Sequence, residues 1–393
     1  MISGPPAEPI LSGMKKVLVA MLLAPALLTA QGRAKNVVLF LADAGGIPTI
    51  TAASLYAMGG SRGLFIQGMP NIALSDTSTA SQIVTDSAAG MTAIVTGQKT
   101  HNGVISQSAS TVRGKADGAA LKTILEYAEQ HGLATGFVTN DSMTGATPAA
   151  LYAHANDRAK SADIFQQAFA PRFGDGVDVM IGPGRAAITK SLAAAGTDLD
   201  TIATRTKRPI HAALSEVPVD ARRAIVMLDS SAFDLEEAVL AAHRILSRNK
   251  KGYFLMVEGD THTDNVRQGL DRMVALDKTI AKMSTIVGRD TLLVFTADHS
   301  FDIALRGGLL EKPLLEGLEA EQSKAAEEKR RNIRIPAVRM DNGHTGEPVM
   351  IAAMGPGADR VRGYMLNTDV FKVMMQAFGW KADEAAVPQT AQR

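Results

Sequence analysis

Short apolar runs alternate with longer stretches of helical periodicity along most of the chain, and this alternation constrains the fold more than any other feature. The apolar runs predict β-strands at residues 36–42, 134–139, 224–228, 252–257, 291–296 and 348–353. The helical spacing predicts helices at residues 87–96, 119–131, 233–247, 265–287 and 369–378. Such alternation is typical of a parallel sheet between two layers of helices. We therefore predict an α/β fold with a doubly wound, mostly parallel central sheet and helices on both faces, formed by one domain over residues 31–393.

Composition limits the chemistry that this domain can carry. The 393 residues include no cysteine, which excludes thiolate nucleophiles, cysteine-ligated zinc and iron–sulfur clusters. Lys and Arg number 41 against 40 Asp and Glu, a formal net charge of +1, so no global field would attract nucleic acid or an anionic membrane. We expect no nucleic-acid binding, and any metal must be held by histidines and carboxylates.

The N-terminal segment has the pattern of a signal peptide. Lys15 and Lys16 precede an apolar run over residues 17–28, and small Ala30 follows it. The run is too short to span a membrane, which takes about 20 residues. We expect residues 1–30 to be a leader and signal peptide cleaved near Ala30. The mature protein would then be periplasmic or secreted, with no membrane span.

Acidic residues cluster at the ends of three predicted strands. Asp43 ends the first strand, Glu258 and Asp260 follow the fourth, and Asp298 and His299 follow the fifth. Ligands bind outside the carboxyl ends of strands in an open parallel sheet. A single carboxylate there is commonly a helix cap or a turn former. Here three strands deliver carboxylates to one edge of the sheet, which favours a cation-binding site instead. Crowded carboxylates repel one another unless cations neutralise them.

Three of the eight histidines, His262, His299 and His344, lie beside Asp or Gly in strand-end or loop contexts. The sequence contexts of His131 and His243 favour ordinary helix packing. Neutral imidazoles with carboxylates form a zinc-type ligand set. Two such metals can clamp the attacking and leaving oxygens of a phosphoryl displacement.

Ser87 opens the predicted helix 87–96 and is followed by small Ala88, Ala89 and Gly90. Free amides and the helix dipole favour an anion at a helix N-terminus. The simpler interpretation is that Asp86 or Ser87 only caps the helix. The nearby ligand set favours Ser87 as a nucleophile, because coordination to zinc offers a route to the alkoxide without a histidine base.

A series of motifs runs through the chain: NVVLFLAD (36–43), TAA (51–53), VTDSAA (84–89), GQKTHNG (97–103), ATPAA (146–150), VEG (257–259), TADH (296–299) and GHTG (343–346). In type and order these motifs resemble the alkaline phosphatase family, from about Asn36 to Gly379. The resemblance implies the same α/β fold and a nucleophilic serine, Ser87, that becomes phosphoserine. It also implies that Arg158, eleven residues after Thr147, grips the phosphate.

The resemblance further implies three metal sites. Asp43, Asp298 and His299 match ligands of the zinc that activates Ser87. Thr147 and Glu258, together with Asp43, match a third, magnesium-type site. The identity of that third ion stays open, because Gly145 stands where relatives often have Asp or His.

The second zinc site departs from the family pattern. His344 matches one ligand, but Thr263 and Arg267 stand where the family usually places Asp and His. A loop about five residues shorter would put His262 in the place of the histidine. Asp260 or Asp264 would then supply the carboxylate, and we favour Asp260.

The function implied by the resemblance is hydrolysis of small phosphate monoesters with two Zn²⁺ ions and one Mg²⁺, at an alkaline optimum. The resemblance also suggests a homodimer. A phosphodiesterase or another esterase of the same superfamily is the nearest alternative. A sulfatase is disfavoured, since no cysteine is available as its nucleophile precursor. An alternative of another class is a catalytically silent secreted protein that binds metal or phosphate.

Overall fold

The computed structural model describes residues 32–383, together with Met1 and Gly4. The strands are β1 Asn36–Asp43, β2 Asn71–Ser75, β3 Ala134–Thr139, β4 Val179–Pro183, β5 Ile210–His211, β6 Ala224–Leu228, β7 Tyr253–Asp260, β8 Thr291–Ala297, β9 Ser300–Leu305, β10 Ile333–Arg334, β11 Val338–Thr345, β12 Val349–Met354 and β13 Gly363–Met365. The helices are α1 Ile47–Met58, α2 Ser87–Thr96, α3 Ile124–Gln130, α4 Ala146–Tyr152, α5 Ser161–Gln167, α6 Arg185–Ala194, α7 Leu199–Thr206, α8 Leu235–Leu246, α9 Val266–Ile286, α10 Leu318–Glu327 and α11 Asp369–Phe378. Three short 3₁₀ helices lie at Phe65–Gly68, Leu214–Glu216 and Ala358–Arg360.

Ten strands form the main sheet, in the order β13-β2-β12-β8-β1-β7-β3-β4-β6-β5. β12 pairs antiparallel with both β8 and β2, and the other neighbours pair in parallel. The non-consecutive order requires helical crossovers between parallel strands. The predicted mostly parallel, doubly wound sheet is therefore confirmed.

Alternate residues of the central strands build two separate cores. In β1, Val37 and Leu39 pack with Met91 of α2 on one face. Val38 of the same strand packs with Met273 of α9 on the other face. Because both faces of β1 are covered, its residues form an almost continuous apolar run, as buried parallel strands do.

A second sheet of three antiparallel strands, in the order β10-β11-β9, begins directly after β8. β9 starts at Ser300, next to His299, and its Phe301 pairs with His344 of β11. The small sheet therefore brings His344 to the carboxyl end of β8. No polar strand of this kind was among the strands predicted from apolar runs.

The described residues from Arg33 to Asp383 belong to one compact unit. The predicted leader, residues 1–30, lies outside the described residues apart from Met1 and Gly4, so its cleavage stays a prediction. Within residues 32–383 no helix is both long enough and apolar enough to cross a membrane.

Candidate active site

The site lies where the carboxyl ends of three neighbouring strands meet. Asp43 at the end of β1 is in register with Asp260 at the end of β7. On the other side, Ala42 is in register with Ala297, so Asp298 continues β8 beside Asp43. The parallel register thus brings Asp43 beside carboxylates that are more than 200 residues away from it in the sequence.

Ser87 occupies the first position of α2, and its side chain is buried. Asp86 caps the helix, because its Oδ1 accepts a hydrogen bond from the backbone N–H of Ala89 at 3.0 Å. The Ser87 hydroxyl oxygen lies 3.4 Å from His299 Nε2. Asp86 and Ser87 therefore have separate tasks, since the cap is the aspartate and the serine faces a histidine.

Arg158 lies beside the same helix end. Its Nη1 donates to Asp86 Oδ2 at 3.2 Å, and that oxygen also accepts from the backbone N–H of Gly103 at 2.9 Å. The arginine side chain is about one-third exposed, at 33%. One aspartate therefore fixes both the start of α2 and an arginine that still reaches solvent.

Asp43, Asp298 and His299 form the first ligand group, with one donor atom from each lying within 4.8 Å of the others. His299 Nε2 lies 3.3 Å from Asp43 Oδ1 and 3.6 Å from Asp298 Oδ2. Asp298 Oδ1 accepts from the backbone N–H of His299 at 2.9 Å, which orients the carboxylate. Its Oδ2 is buried with no hydrogen-bond partner among the described residues.

His262, His299 and His344 form a second group with donor atoms within the same 4.8 Å of one another. The Nε2 atoms of His262 and His344 are 3.5 Å apart. His344 Nδ1 is 3.0 Å from the Thr85 carbonyl oxygen, which accepts its proton. Each of these two histidines therefore turns its Nε2 toward the other, as two ligands of one metal would.

Asp260 contacts His262 directly, with its Oδ1 2.8 Å from His262 Nδ1. Its Oδ2 pairs with Nη1 of Arg272 on α9. Asp264 is exposed and accepts from the backbone N–H of Asn265 instead. The structure thus places Asp260, and not Asp264, against His262.

Glu258 and Thr147 are the side chains expected, together with Asp43, to hold a third ion. Both side chains are buried, and the Thr139 hydroxyl donates to Glu258 Oε2. Glu258 Oε1 and Thr147 Oγ1 have no hydrogen-bond partner in the part of the chain that the structure describes. Two neighbouring oxygens without partners in a buried pocket are a feature that a bound cation would explain.

Burial and charged neighbours shift the pKa values of the titratable groups at this edge of the sheet. Burial would raise the pKa of Asp43, but His262 and His299 outweigh it and hold that pKa below its usual value. Burial and adjacent carboxylates raise the pKa of Glu258 well above its usual range, and burial with Asp43 raises the pKa of Asp298 to about 6. Burial would lower the pKa of His262, yet the carboxylates of Asp43, Asp260 and Asp298 raise it to about 9. Divalent cations would remove this repulsion.

The donor types fit two kinds of ion. Imidazole nitrogen together with carboxylate oxygen, as in the first two groups, suits zinc. The oxygens of Asp43, Glu258 and Thr147 suit a hard cation such as Mg²⁺.

Two charged residues at the site, Asp141 and Arg272, were missed by sequence reasoning. Asp141 follows the predicted strand 134–139 by two residues, so the strand-end rule that selected Asp43 would also have found it. Its neighbour Asn140 accepts a hydrogen bond from the backbone N–H of Asp260 at 2.7 Å. Arg272 lies inside α9, and no local pattern distinguishes it from a solvated arginine.

Fold and site together define a class of protein: a doubly wound α/β metalloprotein whose ligand groups surround a buried serine at a helix N-terminus. The family model of alkaline phosphatase matches residues 34–206 and 227–314. Streptomycin-6-phosphate phosphatase of Streptomyces griseus is 30% identical over 436 residues, which cover 92% of this chain and 95% of that protein. The tissue-nonspecific alkaline phosphatase of Rattus norvegicus is 30% identical over 68% of this chain, which spans only 63% of that relative's length.

Solved structures agree with the sequence relatives on the fold. The alkaline phosphatase of the Antarctic bacterium TAB5 has a TM-score of 0.72 at 22% identity and covers 89% of this chain and 99% of its own. That of Thermus thermophilus has a TM-score of 0.73 at 22% identity and covers 90% and 94%. The chain belongs to the alkaline phosphatase family.

Proposed function

We propose that this chain is a phosphomonoesterase with Ser87 as nucleophile, two zinc ions and a third, magnesium-type ion. The observation that carries the proposal is the Ser87 hydroxyl, which lies 3.4 Å from His299 Nε2 beside the group of Asp43, Asp298 and His299. A small phosphate ester as substrate is supported by the relative named streptomycin-6-phosphate phosphatase, which this chain matches over 95% of its length.

The side chains that would hold the ions form three groups: Asp43, Asp298, His299 and Ser87; His262 and His344, with Asp260 fixing the His262 ring; and Asp43, Thr147 and Glu258. When bound, the ions supply positive charge that favours the serine alkoxide and offsets the charge of the transferring phosphoryl group.

The reaction would proceed in two displacements. Ser87 Oγ gives up its proton and attacks the phosphorus of the monoester, the bond to the ester oxygen breaks, and the alcohol leaves after that oxygen takes up a proton. Water then gives up a proton and attacks the phosphorus of the phosphoserine, the bond to Ser87 Oγ breaks, the serine oxygen takes up a proton, and inorganic phosphate leaves. This order explains why the serine, and not a water molecule alone, is placed among the ligand groups.

Arg158 would bind the phosphoryl group throughout both displacements. Its guanidinium offers paired N–H donors to two phosphoryl oxygens, and Asp86 keeps the side chain beside Ser87. The free amides at the start of α2 add partial positive charge on the same side.

Loss of the hydroxyl tests the role of Ser87. Ser87→Ala should lower kcat for p-nitrophenyl phosphate by at least about a thousandfold in metal-loaded protein, because no other hydroxyl takes its place. Ser323→Ala, at an exposed position on α10, is the matched control. With a radiolabelled monoester, acid-quenched wild-type protein should carry label on Ser87, and the alanine variant should carry none.

Three outcomes would contradict the proposal. Full activity of Ser87→Ala, or full activity after verified metal removal, would overturn the mechanism. Faster turnover of bis(p-nitrophenyl) phosphate than of the monoester would indicate a phosphodiesterase. Phosphate binding without turnover of any ester would indicate a silent binding protein.

We also propose a compartment and an oligomeric state for the enzyme. The signal peptide predicted at residues 1–30 supports a periplasmic or secreted enzyme, and N-terminal sequencing of the mature protein tests its cleavage. The family resemblance alone supports a homodimer, which light scattering on the purified protein tests.

A further inference from the structure

The third ligand group lacks a side chain at one position. Gly145 directly precedes α4 and lies two residues before Thr147, so it contributes no donor atom. Glu258 and Thr147 nevertheless keep buried oxygens, Oε1 and Oγ1, that bond to no residue in the range 32–383. Their side chains are 0% and 1% exposed, so water from bulk solvent does not satisfy them.

Another carboxylate fills the space beside Gly145. A Cβ atom placed on Gly145 would lie 2.6 Å from Asp141 Oδ2 and 2.8 Å from the Ser142 carbonyl oxygen. The turn is closed by the backbone N–H of Gly145, which donates to that same carbonyl at 2.7 Å. The Asp141 carboxylate therefore occupies the volume that a side chain at position 145 would take.

Asp141 is also tied to Glu258 through one threonine. The backbone N–H of Asp141 donates to Thr139 Oγ1 at 2.9 Å, and the Thr139 hydroxyl donates to Glu258 Oε2. This link places the Asp141 backbone and the Glu258 carboxylate on the two sides of one threonine side chain. A second acid linked to a buried carboxylate favours a bound cation between them.

We propose that Asp141 supplies the missing carboxylate of the third ion, together with Asp43, Thr147 and Glu258. The assignment rests on the metal-dependent function proposed above. Every donor in this set is an oxygen, so the ion is Mg²⁺ or a cation of similar hardness. A carboxylate from the end of β3 thus replaces one from the start of α4.

The test measures Mg²⁺ binding and does not depend on turnover. Zinc-loaded wild-type protein, Asp141→Asn and the control Asp163→Asn, an exposed aspartate on α5, are titrated with Mg²⁺ by calorimetry, and bound metals are counted by mass spectrometry. Asp141→Asn should weaken Mg²⁺ binding by about 10- to 100-fold and leave the zinc content unchanged. Unchanged zinc content also shows that the variant is folded.

A second variant removes both oxygens of the Asp141 side chain. Asp141→Ala should weaken Mg²⁺ binding at least as much as Asp141→Asn does, because no donor atom is left there. Equal Mg²⁺ affinity of Asp141→Asn and Asp163→Asn would overturn the assignment. If wild-type protein binds Mg²⁺ through Asp141 but hydrolyses no ester, the proposed function fails and this assignment stands.

Discussion

At the scale of single residues, side chains that hold other side chains decide what the site can bind. Asp260 contacts His262 Nδ1 through one oxygen and Arg272 through the other. This contact makes Nδ1 the protonated nitrogen and leaves the lone pair of His262 Nε2 free, 3.5 Å from His344 Nε2. The carboxylate thus orients the histidine from the side of the ring opposite Nε2.

Asp260→Asn should weaken binding of the zinc at His262 and His344 by about 10- to 100-fold, because the neutral amide holds the imidazole less firmly. Asp264→Asn is the matched control, since Asp264 is exposed four residues away. Zinc per chain after gel filtration measures the difference. Equal zinc loss in the two variants would contradict the choice of Asp260 over Asp264.

Glu129, far from the metal ligands, makes stability depend on pH. It is 5% exposed, its Oε2 accepts from the backbone N–H groups of Asp175 and Gly176, each at 3.2 Å, and the Thr135 hydroxyl donates to its Oε1. Burial, with added repulsion from Asp178 and Asp175, raises its pKa from 4.5 to about 7, and Arg208 is the cation that faces this group.

The folded state binds the proton of Glu129 more tightly than the unfolded state does. The contribution of Glu129 to the free energy of unfolding is therefore largest below pH 4.5 and declines until about pH 7. The decline amounts to about 3 kcal/mol. Glu129→Gln should remove this part of the pH dependence, measured by urea unfolding at pH 5 and pH 8. Exposed Glu327→Gln should keep the wild-type pH profile, and an unchanged profile in Glu129→Gln would refute the prediction.

At the scale of elements, α2 can approach β8 closely only because it carries Gly90. A Cβ atom on this residue would lie 2.9 Å from the backbone oxygen of Asp298 and 3.1 Å from its Cβ. Alanine is normally about 1 kcal/mol better than glycine inside a helix. In α2 that gain is opposed by a collision with backbone that cannot move without shifting Ser87 relative to Asp298.

Gly90→Ala should therefore lower the free energy of unfolding by about 1–3 kcal/mol and reduce kcat as well. Gly68→Ala is the control, because nothing lies within 4 Å of a Cβ placed there. Urea midpoints and p-nitrophenyl phosphate assays measure the two effects. Equal stability of the two variants would show that α2 moves away from β8 at no cost.

The elements predicted from sequence were those with strong local patterns. The bounds of β3, β6, α2 and α11 are confirmed as predicted, since each is an apolar segment ended by a turn or a cap. The predicted helix 119–131 was too long, because Thr123 and Glu126 form a capping box that starts α3 at Ile124. The residues before it bond to a loop instead, with the Leu121 N–H donating to the Ser106 carbonyl at 2.9 Å.

Other features are not encoded locally. Strand direction depends on the connections, so the apolar run of β12 could not show that it is antiparallel. β11 carries polar His344 and has a register shift between Met340 and His344, which hides its strand pattern. The ligand residues themselves were predicted, because strand ends and motifs mark them. Asp141 follows a strand end, as Asp43 does, and the same rule could have found it, whereas the contact of Arg272 with Asp260 exists only in the tertiary fold.

At the scale of the whole molecule, the net charge of +1 conceals an uneven distribution. Parallel strands deliver buried Asp43, Glu258 and Asp298 to one edge, and Asp141 joins them from the end of β3. Burying several carboxylates together opposes folding unless positive charge accompanies them. The fold and the ions are therefore coupled, and metal occupancy should change the stability of the entire domain.

Metal removal should lower the melting temperature. Each site held at about 100 times its Kd adds about 2.7 kcal/mol, which for a domain of this size corresponds to roughly 3–4 °C per ion. Differential scanning calorimetry of protein dialysed against chelator should show this loss, and Zn²⁺ and Mg²⁺ added in turn should restore it in steps. Chelator already saturated with metal is the control, because it leaves the sites filled. A melting temperature that is the same with and without ions would mean that the carboxylates at this edge are accommodated by the protein alone, which would contradict both the ligand groups and the Asp141 assignment.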